Sequence, residues 1–154
     1  MEISKAPAVQ AEMLIRRPVA SVFEAIVDPA ITTKFWFTRS SGPLEPGKQV
    51  RWDWQMYGVS TDVVVKELAP HERVVMEWDD GIRVDWRFSQ RGADQTFLSV
   101  TETGYSGTGD EIVARALDST GGFTMVLCAL KAWLEHGIRL NVVADKAPDA
   151  NIPY

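Results

Sequence analysis

Only a few polar side chains in this sequence are placed where they could act on a small molecule. Glu102 stands near the end of a predicted strand whose alternate positions are apolar. A carboxylate facing an apolar cavity is a candidate general acid or a binding group for an amine, because desolvation disfavours its charged form. The alternative is an ordinary strand-end glutamate in water or paired with an arginine. Thr61 and Tyr105 are candidate hydrogen-bond donors at the mouth of such a cavity.

Nucleophiles and metal ligands are sparse. The single cysteine, Cys128, has no histidine at a short spacing, so we expect a buried, inert thiol and no internal disulfide. His71 lies in a predicted turn and His136 near a predicted helix end, which makes neither a metal site nor a catalytic triad. The sequence lacks GxSxG, P-loop, HExxH and dinucleotide-binding motifs. We therefore predict no metal and no cofactor.

Aromatic residues are unusually frequent, with six tryptophans beside six phenylalanines and three tyrosines. Large rings at strand spacing either fill a core or, where they pack imperfectly, leave an apolar pocket whose indole N–H groups orient a ligand. We predict such a pocket between a sheet and a long helix, and a filled core is the alternative. The predicted apolar lining is Trp36, Trp52, Trp54, Met56, Trp78, Trp86, Phe88, Phe123 and Leu127.

Length and composition limit the class of protein. The chain has 154 residues, 45% of them apolar, which is typical of one domain with a real core. We expect an ordered core over about residues 8–140 and an irregular tail over 144–154. The net charge of −5 argues against a nucleic-acid-binding surface. The sequence has no apolar run that approaches the roughly 18 residues a membrane span needs and no apolar leader segment, so we expect a cytoplasmic protein without a membrane span.

The elements that must position these residues follow from hydrophobic periodicity. A strand is predicted from Val9 to Arg16, then a short helix ending near Asp28, whose carboxylate caps a second short helix from Pro29 to Lys34. An antiparallel meander follows. Its first hairpin is predicted to turn at Tyr57-Gly58, with these pairs: Met56 with Val59, Trp54 with Thr61, and Trp52 with Val63.

The second hairpin is predicted to have a three-residue loop, Asp79 to Gly81, with the glycine in the left-handed region. This loop pairs Trp78 with Ile82, Met76 with Val84, and Val74 with Trp86. The last strand, Gln95 to Thr103, has two open registers. One points Leu98, Val100 and Glu102 inward, and the other points Phe97 inward and leaves Glu102 in solvent.

The C-terminal part changes to helical period. Glu111 to Leu117 is predicted as a short helical piece, and Asp118-Ser119-Thr120 as the cap of a long helix that ends at Gly137. The fold class is therefore α+β: two short helices after the first strand, and a curved antiparallel sheet of about six to seven strands around one long C-terminal helix.

Several segments resemble the START-like helix-grip (SRPBCC) superfamily, in particular the branch named for the C-terminal domain of the heat-shock-protein ATPase activator. The matching segments are Ile15 to Val19, Val22 to Pro29, Lys34-Phe35-Trp36, the Trp78 hairpin, Thr96 to Gly104, Gly121-Gly122-Phe123 and Leu130 to Gly137. One departure is the second glycine before Phe123, where the family has an aromatic directly after a single glycine. The resemblance implies a helix-grip fold without metal or cofactor. It also implies that the co-chaperone role belongs to a longer protein, for whose N-terminal domain this chain has no room.

The sequence is therefore compatible with three functions. The leading hypothesis is binding of a hydrophobic or aromatic small molecule without catalysis. The second is a cyclase-like or hydrolase-like enzyme that uses Glu102 with Tyr105 or a bound water, and it requires Glu102 to be buried and to point inward. The third is a regulator of a partner protein, or a homodimer, which requires a contiguous exposed apolar patch.

Overall fold

The computed structural model describes residues 1–150 and shows one seven-stranded antiparallel sheet with helices packed on it. The spatial order of the strands is β1-β7-β6-β5-β4-β3-β2. The strands are β1 Val9–Ile15, β2 Arg39–Ser40, β3 Gln49–Trp54, β4 Val59–Ala69, β5 Arg73–Trp78, β6 Arg83–Gln90 and β7 Thr96–Thr103; the helices are α1 Val19–Val27, α2 Pro29–Thr32, α3 Gly109–His136 and α4 Val142–Asp145. The predicted α+β class, with a curved sheet against a long C-terminal helix, is confirmed.

The N-terminal elements form as the sequence predicts. β1 alternates buried and exposed positions, and α1 buries Val22, Phe23 and Ile26 against the sheet. The Asp28 carboxylate accepts a hydrogen bond from the Ala30 amide and so caps α2, which the proline at its first position also favours. Trp36 follows α2 in the chain and is buried in the core.

The first hairpin differs from the prediction. Residues Gln55–Tyr57 form a 3₁₀ turn, and Gly58 takes the left-handed conformation that returns the chain. Trp54 therefore pairs with Val59 and Trp52 with Thr61, a shift of two residues that keeps each side chain on its predicted face. Met56 lies on the 3₁₀ turn instead of the strand.

The second hairpin has the predicted three-residue loop. Gly81 has a φ of 82°, the Trp78 amide donates to the Ile82 carbonyl, and Met76 pairs with Val84. β7 resolves the open register: Glu102 pairs with Val9 on one side and Val84 on the other, and it points inward. The carboxylate is therefore buried, and the solvated alternative for Glu102 is wrong.

The C-terminal helix is one continuous element, and the predicted break before Asp118 is wrong. Thr108 and Glu111 form a reciprocal capping box at the start of α3, and Gly137 in the left-handed region ends it, as predicted. Ser119 is consequently an interior helix residue that is buried, and it does not act as a cap. α3 presents Phe123, Val126, Leu127 and Leu130 to the sheet.

The prediction that Cys128 is buried also needs correction. Cys128 follows the buried Leu127 on α3. It is exposed because it lies on the helix face that points away from the sheet. Asp53 on the outer sheet face is buried, because Arg39 and Arg51 cover it with hydrogen bonds of 2.9 and 3.0 Å. These hydrogen bonds from Arg39 and Arg51 lower the pKa of the Asp53 carboxyl.

Asp85, on the outer face of β6, is also an aspartate paired with arginines. Burial raises its pKa, but bidentate hydrogen bonds from Arg73, 2.8 and 3.0 Å long, and weaker ones from Arg87 outweigh the burial. The net effect is a lowered pKa for the Asp85 carboxyl.

The C-terminal segment is partly helical, since α4 occupies the beginning of the region predicted as irregular. Residues 151–154 of the predicted tail lie outside the described residues. By length and composition alone α3 is long and apolar enough to cross a membrane. In the structure the face of α3 with Phe123, Leu127 and Leu130 packs onto the sheet.

Candidate functional site

An aromatic cluster fills the middle of the molecule, with Trp36 at its centre. The Trp36 ring centroid lies 5.1 Å from that of Trp52, 5.7 Å from that of Trp86 and 6.1 Å from that of Phe123. Phe37 stacks on Trp52 at 4.4 Å. Edge-to-face packing of this kind is favourable, so this part of the interior is core.

A pocket of about 710 Å³ adjoins this cluster, in the size range of small-molecule sites. Its walls are the end of β3, the start of β4, the end of β5 and the inner face of α3, with residues from the α4 region at one side. The wall is largely indole and aliphatic. Its main apolar members are Trp36, Trp54, Val59, Trp78, Phe123, Met125, Val126 and Val143.

The predicted lining residues divide between this pocket and the filled core. Trp36, Trp54, Thr61, Trp78, Glu102 and Phe123 line the pocket. Trp52, Met56, Trp86, Phe88 and Leu127 do not. Phe88 packs on Phe23 of α1 at 5.2 Å, and Trp52, Trp86 and Leu127 are almost fully buried behind the pocket wall. Among the described residues, the buried indole nitrogen of Trp86 has no hydrogen-bond partner.

The polar end of the pocket is organised around Glu102, which is only 1% exposed. Its Oε2 accepts a hydrogen bond from the Trp78 indole nitrogen at 2.8 Å. Its Oε1 accepts from the Tyr105 hydroxyl at 2.9 Å and from the Ser119 hydroxyl at 2.6 Å. Since all three neighbours donate, the carboxylate holds one pocket wall, Trp78, in a fixed orientation.

Arg115 lies at the rim of this cluster. Its Nε is 3.8 Å from Glu102 Oε1, and its Nη1 donates to the Asp80 carboxylate at 3.1 Å. Burial and the hydrogen bond to Glu102 raise the pKa of the Tyr105 hydroxyl well above its ordinary value, so Tyr105 stays protonated as a donor. Asp80 also accepts a hydrogen bond from the Ile82 amide, which fixes the hairpin loop at the rim.

The sequence interpretation missed several lining residues of the pocket, among them Ser119 and Arg115. A continuous helix would have placed Ser119 four residues before Phe123, on the same face. The signal for that continuity was present in the sequence, because Thr108 and Glu111 have the spacing of a capping box. The described residues contain no group of three or more His, Cys, Asp or Glu side chains that could hold a metal ion.

A curved antiparallel sheet wrapped against one long helix, with an apolar pocket between them, defines a helix-grip protein of the SRPBCC class. The sequence profile of the family described as Activator of Hsp90 ATPase homolog 1-like protein matches residues 16–135. The chain therefore belongs to this family, as the sequence resemblance predicted. No functionally curated protein matches the chain.

Solved structures of similar proteins agree with this assignment. Protein SSP2350 from Staphylococcus saprophyticus superposes with a TM-score of 0.77 at 25% identity, over 87% of this chain and 96% of that protein. DynU16, a protein in the dynemicin biosynthetic locus, gives 0.74 at 25% identity, over 86% of this chain and 48% of DynU16. The Aha1 dimer from Colwellia psychrerythraea gives 0.73 at 19% identity, over 85% of this chain and 98% of that chain.

Proposed function

We propose that this protein binds a hydrophobic or aromatic small molecule in the pocket between the sheet and α3, without a metal or cofactor. The observation that carries the proposal is the open space of about 710 Å³ beside an otherwise tightly packed aromatic core. A concave, largely apolar space of this size with a few polar groups at one end is typical of a small-molecule site. Three indoles give its wall a large, rigid apolar surface.

The glycine pair inside α3 supports the same function. Glycine in a helix interior costs about 1 kcal/mol relative to alanine. A Cβ added at Gly121 or at Gly122 would meet no heavy atom within 4 Å, so packing does not require either glycine. Gly122 lines the pocket, where its missing side chain leaves room for a guest against the helix backbone.

Titration with the neutral fluorescent hydrophobe N-phenyl-1-naphthylamine tests this function. We expect saturable binding of one probe per chain with quenching of tryptophan emission, since Trp36, Trp54 and Trp78 line the pocket. Met125→Trp fills the pocket and should weaken binding by at least about tenfold, which corresponds to about 1.4 kcal/mol. Leu117→Trp is the matched control, because Leu117 lies on the same helix, 70% exposed, outside the pocket lining. Absence of saturable binding, or equal loss in both variants, would overturn the proposal.

One observation favours a second candidate function, catalysis by Glu102. The structure meets the geometric requirement for it, since Glu102 is buried, points inward and lines the pocket beside Tyr105. Against it, three donors already occupy the carboxylate. A hydrolase-like enzyme would turn over hydrophobic p-nitrophenyl esters, lose that turnover in Glu102→Gln and retain it in Asp62→Asn, a change on the exposed part of β4. Equal turnover of these esters in the two variants would contradict a hydrolytic role for Glu102.

A role as a regulator of a partner protein has weaker support. Such a role calls for a contiguous exposed apolar patch. In the described part of the chain, the large exposed apolar side chains are spread over the N-terminus, β4, α3 and the segment after α3: Met1, Val59, Leu117, Ile138 and Leu140. This distribution favours a small-molecule ligand over a protein partner or a homodimer.

A further inference from the structure

We propose that the ligand of this pocket is an organic cation, an aromatic or aliphatic body that carries a protonated amine or quaternary ammonium group at the Glu102 end. This inference rests on the small-molecule binding function proposed above and adds the charge class of the ligand. It is carried by the charges that line the pocket and by the arrangement of three indoles.

The charges around the pocket do not balance. Among the described lining residues, four are carboxylates and two are cations. Arg115 is 3.1 Å from Asp80, and Lys146 is 3.6 Å from Asp118, so each cation already has an acidic partner. Arg115 also lies 3.8 Å from Glu102, so Asp80 and Glu102 share one guanidinium, and two negative charges of the lining remain in excess. A cationic ligand would neutralise this excess, whereas an anionic one would add to it.

Glu102 is the acid whose position gives a cation the largest gain. It is almost fully buried, and Trp78, Tyr105 and Ser119 donate to it as neutral groups. Neutral hydrogen bonds orient a carboxylate without cancelling its charge. The nearest cation, Arg115, stands 3.8 Å away, is 38% exposed and is closer to Asp80. In a site partly shielded from water, an added positive charge interacts with this carboxylate more strongly than at the surface.

The indoles next to Glu102 form walls that suit a cation. Trp36, Trp54 and Trp78 all line the pocket, with ring centroids 6.2 to 6.5 Å apart and planes inclined by 67°, 83° and 56°. Inclined rings of this kind make a corner instead of a flat stack. Tryptophan is the best ring for cation–π attraction, and aromatic corners with a nearby carboxylate suit ammonium groups. The Trp78 ring also donates its N–H to Glu102, which ties the corner to the charge.

Three indole ligands that differ in charge test the inference: tryptamine, a cation at pH 7; 3-ethylindole, which is neutral; and indole-3-propionate, an anion. We expect calorimetric titration to show tryptamine binding about tenfold tighter than 3-ethylindole, a size that cation–π and charge attraction can supply. Indole-3-propionate should bind weakest. The advantage of tryptamine should fall when salt is raised from about 20 to about 200 mM, because screening acts on the charged ligand alone.

Variants locate the effect. Glu102→Gln, and independently Asp79→Asn on the exposed hairpin loop, should each lower the ratio of the tryptamine affinity to the 3-ethylindole affinity. Asp62→Asn is the control, an exposed aspartate outside the pocket lining that should change neither. Asp79→Asn keeps the test valid if Glu102→Gln fails to fold.

The possible outcomes separate this inference from the proposed function. If 3-ethylindole or indole-3-propionate binds as tightly as tryptamine, the cation inference is overturned and small-molecule binding stands. The same holds if N-phenyl-1-naphthylamine binds and tryptamine does not bind at up to about 10 mM. If neither the naphthylamine probe nor any indole binds, the proposed function itself is overturned.

Discussion

Replacing Gly122 by alanine should make this protein more stable and worse at binding. Alanine is favoured over glycine in a helix interior by about 1 kcal/mol. Nothing in the structure opposes the new methyl group, because a Cβ there has no heavy atom within 4 Å. For a chain of 154 residues a gain of 1 kcal/mol raises the melting temperature by about 2 to 4 °C.

The same methyl group enters the pocket, since Gly122 is part of its wall. One extra methyl group in a hydrophobic binding pocket changes the binding free energy by about 1 kcal/mol or more, so affinity for N-phenyl-1-naphthylamine should fall roughly fivefold. Gly121→Ala is the matched control: it makes the same change one residue earlier in α3, its Cβ also meets nothing within 4 Å, and it lies outside the pocket lining.

Thermal unfolding followed by circular dichroism, combined with fluorescence titration, measures both effects on both variants. The reasoning predicts that both variants gain stability and that only Gly122→Ala loses affinity. Two results would refute it. The first is unchanged binding by Gly122→Ala together with increased stability, and the second is loss of stability in both variants, which would mean that the glycines serve packing.

Three further predictions follow from packing and charge. Leu130→Ala removes a fully buried helix side chain and should lower the unfolding free energy, measured in urea, by about 2 to 5 kcal/mol. Trp54→Ala, at the half-buried pocket wall, should lower it by less. Equal losses in the two variants would count against the pocket. Ser119→Ala deletes a hydrogen-bond donor to buried Glu102 and should lower the unfolding free energy by about 1 to 3 kcal/mol. An unchanged unfolding free energy would contradict this and would mean that water replaces the hydroxyl. Because the pKa of Asp85 is lowered in the folded state, its ion pairs stabilise the protein fully above about pH 4 and are lost as pH falls further; Asp85→Asn should therefore flatten the acid limb of the stability curve, and an unchanged limb would contradict this.

Alternation and turn chemistry predicted most of the sheet. The second hairpin was placed correctly because Gly81 in a three-residue loop is the solution that keeps Trp78, Met76 and Val74 facing apolar partners. The first hairpin was not, because a 3₁₀ turn used three residues that alternation had assigned to the strand. The predicted inner and outer faces of this hairpin are nevertheless correct, since a register shift of two residues leaves every side chain on the same side of the sheet.

The candidate site was harder to predict than the fold. The orientation of Glu102 depends on how β7 pairs with β1, which lies at the other end of the chain, and local periodicity carries no information about that pairing. Ser119 was missed because Asp118-Ser119-Thr120 and the following glycines have the composition of a helix start. Tertiary packing carries α3 through this segment, against its local propensity.

The indole N–H signals in a nitrogen-15 correlation spectrum offer the most direct test that a small apolar molecule occupies the pocket. Each of the six tryptophans contributes one signal. On titration with N-phenyl-1-naphthylamine, we expect the signals of Trp36, Trp54 and Trp78 in the pocket wall to shift, while that of Trp133, outside the lining, stays in place. A spectrum in which no indole signal moves, or in which Trp133 moves as much as Trp54, would contradict the proposed site.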